Sequence, residues 1–323
     1  MYEDCPTKKF IHYNESDRKC GINNEKGQDC SRREENGLSI SDTFVPPFRN
    51  RPYPSDPRQI AQETRVTTAL LLAAGTGTRL QPLTLDAPKC LTEVGGIPIL
   101  ERLINNLRIQ GFKRLVVVIG YLGGCIQEFL EQHTNDMRID YVLNPDYRIT
   151  NNIYSLWLAR KQIHEPFLLI ESDLVFEACM LDDMLQPDKM AISRILPWMN
   201  GTTVELDSQG CVTAFRRGGD MNHTASQYKS VNLYSLSLSS WNKIEKRLHR
   251  YIVEGRLGEY YEVVFSEMIA ERTLSFDAIF FDTNRWYEID TMADLQEAEK
   301  LFTQSRPISS RLQRGIKPAA NLA

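Results

Sequence analysis

Thr67-Thr-Ala-Leu-Leu-Leu72-Ala-Ala-Gly-Thr-Gly-Thr-Arg-Leu-Gln-Pro-Leu-Thr84 decides the fold. A short apolar run ends in small residues and two glycines, the pattern of a buried parallel strand that stops at a tight turn. Exposed backbone N–H groups in such a turn form a concavity for an anion, and the missing side chains let a ligand approach the backbone. The candidate phosphate loop is therefore Leu72, Ala73, Ala74, Gly75, Thr76, Gly77 and Thr78. A P-loop would end in Gly-Lys-Ser/Thr, but Gly77 is followed by Thr78 and Arg79. A dinucleotide fingerprint needs a third glycine where Leu80 stands.

Outward from this loop, apolar runs alternate with helical periodicity. Strands are expected at Arg114–Ile119, Arg138–Leu143 and Phe167–Ile170, and helices at Ile99–Gln110, Ile126–Gln132 and Asn152–Lys161. That alternation implies an α/β fold whose mainly parallel sheet is flanked by helices on both faces. After about residue 190, short strands near 191–195, 202–206, 212–215 and 231–236 predict a small antiparallel region. Helices at 239–254 and 262–271, two strands and a closing helix at 292–302 complete the domain.

The domain is expected to span residues 66–304. Residues 1–65 are polar, with scattered prolines and no apolar period, and read as a disordered or loosely packed extension. Residues 305–323 read as a flexible tail. The formal net charge of −4 over 323 residues argues against a broad basic surface for nucleic acid. Seven cysteines without a CxxC pair argue against a zinc site or disulfide framework. Charges within Met1–Phe10 and the lack of a long apolar window argue against a leader or membrane span, so a cytoplasmic protein is expected. Oligomeric state is not legible.

Arg79 directly follows the loop, and Pro88-Lys89 comes ten residues after it. Two cations so placed could fold back over the loop and neutralise a triphosphate, the main requirement of phosphoryl and nucleotidyl transfer. Asp173 follows the apolar strand Phe167–Ile170, at the carboxyl edge where ligands of open parallel sheets bind. A turn or helix cap is its alternative role. Glu171 points to the same side if the strand stays regular. In Trp286-Tyr-Glu-Ile-Asp290-Thr-Met-Ala-Asp294, Asp290 or Thr291 could open the last helix, with Asp294 in its first turn.

The segments Leu72–Thr84, Pro88–Leu91 and Gly96–Leu100 together resemble the signature of the sugar-phosphate and choline-phosphate nucleotidyltransferase family, with its MobA-like NTP transferase fold of the Rossmann-like, nucleotide-diphospho-sugar transferase type. The resemblance implies that the loop holds the nucleotide, Arg79 contacts the departing pyrophosphate and Lys89 bridges the reacting phosphates. It also implies that Asp173 and Asp290 hold Mg²⁺, with Glu288 in reserve. A phosphate monoester is already nucleophilic near neutral pH, so no general base is required, and none of the five histidines lies in a catalytic-looking motif.

Within that family the chain lacks the Glu-Lys-Pro segment whose lysine grips a sugar phosphate; Val212–Gly219 offers only Arg216 or Arg217. Asn144-Pro-Asp-Tyr147, Thr150–Leu156, Trp198–Val204 and Tyr260-Tyr-Glu262 instead resemble bacterial choline-phosphate cytidylyltransferases and their phosphonate-using relatives. The expected partners are CTP and a small phosphorylated substrate. Asn151 and Asn152 are expected to bind substrate or cap a helix, and Tyr154, Trp198, Tyr260 and Trp286 are candidates to cage a cationic head group. The competing readings are a sugar-1-phosphate nucleotidyltransferase using UTP, dTTP or GTP, a non-catalytic nucleotide-binding module, and a dinucleotide oxidoreductase. Arg79, Lys89 and Asp173 speak against the second, and Leu80 against the third.

Overall fold

The computed structural model describes residues 65–197, 199–216 and 227–303. The expected extension apart from Arg65, the tail, Trp198 and Arg217 thus lie outside the described residues. In chain order the strands are β1 (Thr68–Ala73), β2 (Glu93–Val94), β3 (Ile97–Pro98), β4 (Arg114–Ile119), β5 (Arg138–Leu143), β6 (Phe167–Glu171) and β7 (Leu174–Phe176). They continue as β8 (Lys189–Ser193), β9 (Thr203–Leu206), β10 (Val212–Arg216), β11 (Gln227–Leu236), β12 (Asp277–Phe280) and β13 (Trp286–Glu288). The helices are α1 (Ile99–Ile109), α2 (Gly123–His133), α3 (Asn152–Leu158), α4 (Leu238–Val253), α5 (Tyr261–Ala270) and α6 (Met292–Thr303).

One sheet runs β10-β9-β11-β6-β1-β4-β5, with β8 also on β11 and β12 on β8. From β6 to β5 the pairing is parallel. Strand β11 then runs antiparallel to β6 and carries β8 and β9, so the antiparallel strands extend the same sheet. This is the mainly parallel, helix-flanked architecture expected above.

Alternation along the central strands divides the core. Ala69, Leu71 and Ala73 face one cluster with Leu115, Val117, Leu168 and Ile170, against Leu103 and Leu107 of α1 and Ile126 and Leu130 of α2. Leu70 and Leu72 face the other with Val116, Val118 and Leu169, against Leu156 of α3, Trp241 of α4 and Phe265 of α5. Strands covered on both faces need apolar residues at every position, which is why β1 shows no polar alternation. A smaller third cluster joins Leu80, Val175, Ile289, Leu295 and Phe302. It ties the start of the loop region to β7, β13 and α6, and so holds Arg79 and Asp290 on neighbouring supports.

Candidate active site

The loop after β1 turns at Gly77, whose φ of 62° and ψ of 31° are left-handed and favour glycine. A Cβ there would stand 3.1 Å from Thr84 Cγ2 and 3.2 Å from Lys89 Cβ, so the turn and the Lys89 segment are packed too closely for a side chain. The Thr84 hydroxyl donates to the Gly77 carbonyl at 2.8 Å and closes the loop. At Gly75 a Cβ would meet nothing within 4 Å, so open space lies over that part of the backbone. Leu72, Ala74, Gly75, Gly77 and Thr78 line a cavity of about 270 Å³; Ala73 and Thr76 do not, and Ala73 faces the core instead.

Lys89 opens a short turn anchored by the buried Cys90. Its Nζ donates to Asp173 Oδ2 at 2.9 Å and to Asp290 Oδ1 at 2.7 Å, and Arg79 Nη2 reaches the same Asp290 oxygen at 2.8 Å. All four residues line the cavity. Burial would lower the Lys89 pKa, but the Asp173 and Asp290 carboxylates outweigh it and hold the ammonium well above the ordinary lysine range. Arg79 is 65% exposed, so its contact is the looser one.

Two elements bring the aspartates together. Strands β7 and β13 pair antiparallel, with Glu288 opposite Leu174, and Ile289 N–H donates to the Asp173 carbonyl at 3.0 Å. The start of α6 is capped within itself. Asp294 Oδ2 accepts from Thr291 N at 2.7 Å and Asp290 N at 3.1 Å, while Asp294 N–H donates to Thr291 Oγ1 at 3.3 Å. This reciprocal cap takes the helix-opening role away from the Asp290 carboxylate, which turns to Lys89 and Arg79.

The pair suits Mg²⁺. Asp173 Oδ1 is buried with no hydrogen-bond partner, an orphan that a cation would satisfy. No group of three or more metal-binding side chains occurs among the described residues. Mg²⁺ asks for no such cage, since it commonly binds through one or two carboxylates with phosphate and water.

On the far side of the cavity, Asn151 caps α3 through its side-chain oxygen, which accepts from Asn152 N at 2.8 Å. Asn152 Oδ1 accepts from Tyr261 N at 3.0 Å, and its Nδ2 donates to Glu171 Oε1 at 3.1 Å. Both asparagines and Tyr260 line the cavity. Tyr154 is placed elsewhere, stacked on Trp157 with ring centroids 5.6 Å apart. Trp286 is core, its Nε1 donating to Ser193 Oγ at 3.1 Å. Arg216, exposed on β10, pairs with Glu205 of β9 and does not line the cavity.

Burial pushes the Glu171 carboxyl well above the usual range, and the negative neighbours Glu262, Asp173 and Glu288 push the same way. Burial also raises Glu288, while the adjacent Lys229 ammonium at 3.0 Å opposes that shift. Glu288 is thus already paired, and Asn232 Nδ2 approaches its other oxygen at 3.5 Å. Lys229 escaped the sequence reading because one lysine in a polar-looking strand carries no signal. The role of β5 was legible in principle: Asn144, Tyr147 and Thr150 follow its carboxyl end and line the cavity.

Residues 69–194 match the MobA-like NTP transferase domain. The chain is 31% identical over 254 residues to CMP-5'-(3-aminopropyl)phosphonate synthase of Streptomyces rubellomurinus, covering 74% of this chain and 39% of that protein. It is 29% identical to the 2-aminoethylphosphonate cytidylyltransferase of Lancefieldella rimae, covering 71% of this chain and 90% of that one. The fold superposes on the CTP:phosphocholine cytidylyltransferase of Streptococcus pneumoniae with a TM-score of 0.64 at 24% identity, covering 73% of this chain and 99% of that chain. The chain therefore spans well under half of the first relative and most of the second. The glycine loop, Arg79, Lys89 and Asp173 thus all lie within the residues that match the MobA-like NTP transferase domain, and Asp290 joins them in the same cavity from beyond it.

Proposed function

We propose that this protein is an Mg²⁺-dependent cytidylyltransferase that joins CTP to a small phosphate or phosphonate and releases pyrophosphate. The observation that carries the reading is the single ammonium of Lys89 held between Asp173 and Asp290, beside an open glycine loop. That arrangement concentrates a cation and a metal-binding carboxylate pair where a triphosphate would lie. The CMP and cytidylyl chemistry in the relatives' names favours cytidine as the nucleoside.

In this reading the acceptor's oxygen attacks the α-phosphorus of CTP in line, the bond to the β-phosphate breaks, and pyrophosphate departs with the bonding electrons. Ala74, Gly75, Gly77 and Thr78 present backbone to the phosphates. Lys89 exchanges its carboxylate contacts for non-bridging phosphate oxygens, and the exposed Arg79 swings to the leaving pyrophosphate. Mg²⁺ on Asp173 and Asp290 would draw charge from the α-phosphate and align the two reactants.

Pyrophosphate release, measured with each of CTP, UTP, dTTP, ATP and GTP against phosphocholine, 2-aminoethylphosphonate and glucose-1-phosphate, tests the reading. Release confined to CTP with phosphocholine or the phosphonate, and abolished by EDTA, is expected. Release with glucose-1-phosphate and another nucleotide would replace it with sugar-phosphate nucleotidyl transfer.

A further inference from the structure

Glu171 ends β6 and lines the cavity two residues before Asp173. Its two oxygens are used unequally. Oε1 accepts from Tyr261 OH at 2.8 Å and from Asn152 Nδ2 at 3.1 Å, and no hydrogen bond reaches Oε2 among the described residues. Asn152 is itself held by Tyr261 N–H, so the carboxylate is fixed by a braced pair of neutral donors. The cations nearby are committed elsewhere. Lys89 serves Asp173 and Asp290, and Lys229 serves Glu288. A partly buried carboxylate oriented through one oxygen, offering the other and lacking an ion-pair partner, is built to receive a cation that arrives with a ligand.

We infer that Glu171 is the specificity-determining residue of the acceptor subsite and binds the protonated primary amine of an aminoalkyl phosphonate or phosphate. The inference rests on the cytidylyltransferase reading and names the acceptor class. Strand β6 ends at Glu171 and the chain turns through Ser172 and Asp173, and both carboxylates line the same cavity, Glu171 beside Asn152 and Asp173 beside Lys89. A short alkyl chain within that cavity would run from a phosphonate oxygen beside Asp173 to an ammonium at Glu171 Oε2.

A primary ammonium donates charge-assisted hydrogen bonds, which the free oxygen accepts. A quaternary ammonium has no N–H and is held by aromatic faces instead. Among the described residues only Tyr147 and Tyr260 bring rings to this wall, and Tyr260 is 47% exposed. Tyr154 and Trp286, which a cage would need, are committed to Trp157 and Ser193. The described wall is therefore a hydrogen-bonding one.

The test is steady-state pyrophosphate release at saturating CTP and Mg²⁺ with four acceptors: 2-aminoethylphosphonate, 3-aminopropylphosphonate, phosphocholine and ethylphosphonate, which lacks the amine. Wild type is compared with Glu171→Gln, which keeps the shape and one donor-accepting oxygen, and with Glu171→Asp. The wild type is expected to favour the two aminoalkyl phosphonates over ethylphosphonate and phosphocholine by at least about tenfold in kcat/KM. Glu171→Gln is expected to raise KM for the aminated phosphonates at least about tenfold, with the KM for CTP and the ethylphosphonate rate within twofold of wild type. Glu171→Asp should recover part of the preference.

Unchanged amine preference in Glu171→Gln, or equal use of phosphocholine by the wild type, overturns the inference while leaving nucleotidyl transfer in place. Equal losses with all four acceptors also overturn it, since that is the signature of damage to the metal or nucleotide side. Absence of release from CTP with every acceptor in the wild type removes the cytidylyltransferase reading itself and the inference with it.

Discussion

Lys89 holds two carboxylates with one ammonium, each contact under 3.0 Å, and all three side chains are no more than 14% exposed. In the proposed reaction its loss would remove transition-state charge stabilisation, and it leaves Asp173 without its cation and Asp290 with only the exposed Arg79. Lys89→Ala is expected to lower kcat by about 100-fold or more. In metal-free buffer it should also melt a few degrees below wild type, and added Mg²⁺ should restore much of that difference as the metal takes the place of the lost ammonium. Thermal melts with and without Mg²⁺, alongside turnover, check both parts; near-normal turnover contradicts the assignment. At Gly77 a methyl group meets Thr84 and Lys89 at a left-handed backbone position. Gly77→Ala should cost about 1 kcal/mol or more in urea denaturation and raise the KM for CTP. Much of this was legible residue by residue. Gly75, Gly77, Arg79, Lys89 and Asp173 stand in one recognisable run or directly after an apolar strand. The roles of Glu171 and Lys229 were not legible, because they depend on which neighbours burial supplies, and those neighbours come from α3, α5 and β13 far along the chain.

At the scale of elements, the site depends on β7 pairing with β13 and on the cap of α6. The sequence left open whether Asp290 or Thr291 opens that helix. The structure assigns the cap to Thr291 and Asp294, which leaves the Asp290 carboxylate to the cavity. Thr291→Ala is expected to destabilise the protein by about 0.5–2 kcal/mol, the usual worth of a lost cap. It should also reduce turnover several-fold, because Asp290 then lies next to a frayed helix start. Denaturant melts and rates measured on the same preparation check this; a stability loss with unchanged rate would show that the cap does not position Asp290. Strand β5 lies at the residues expected and α1 within one residue, whereas β11 begins four residues before the expected Val231, α2 three before Ile126, and α3 ends three before Lys161. The two-residue strands β2 and β3 and the three-residue β7 escaped notice, since so few residues show no period.

At the scale of the molecule, one sheet separates two apolar layers, and the glycine loop, Asp173 and the residues after β5 all emerge at the carboxyl ends of its parallel strands. The site is therefore only as rigid as the β6-β1-β4-β5 core. Leu71→Ala, at a fully buried position of β1, should cost about 2–5 kcal/mol. The parallel order followed from the alternation of buried strands with helices. The join to the antiparallel strands through β11 did not, because strand order across a sheet depends on long-range pairing that leaves no local mark. No helix among the described residues is long and apolar enough to cross a membrane.

The most direct test of the central claim is a ³¹P NMR time course of the protein with CTP, Mg²⁺ and 2-aminoethylphosphonate. The phosphonate signal should give way to that of a phosphonate–phosphate anhydride to CMP, with pyrophosphate appearing in equal amount. An unchanged phosphonate signal, with CTP either intact or hydrolysed to CMP, would contradict it.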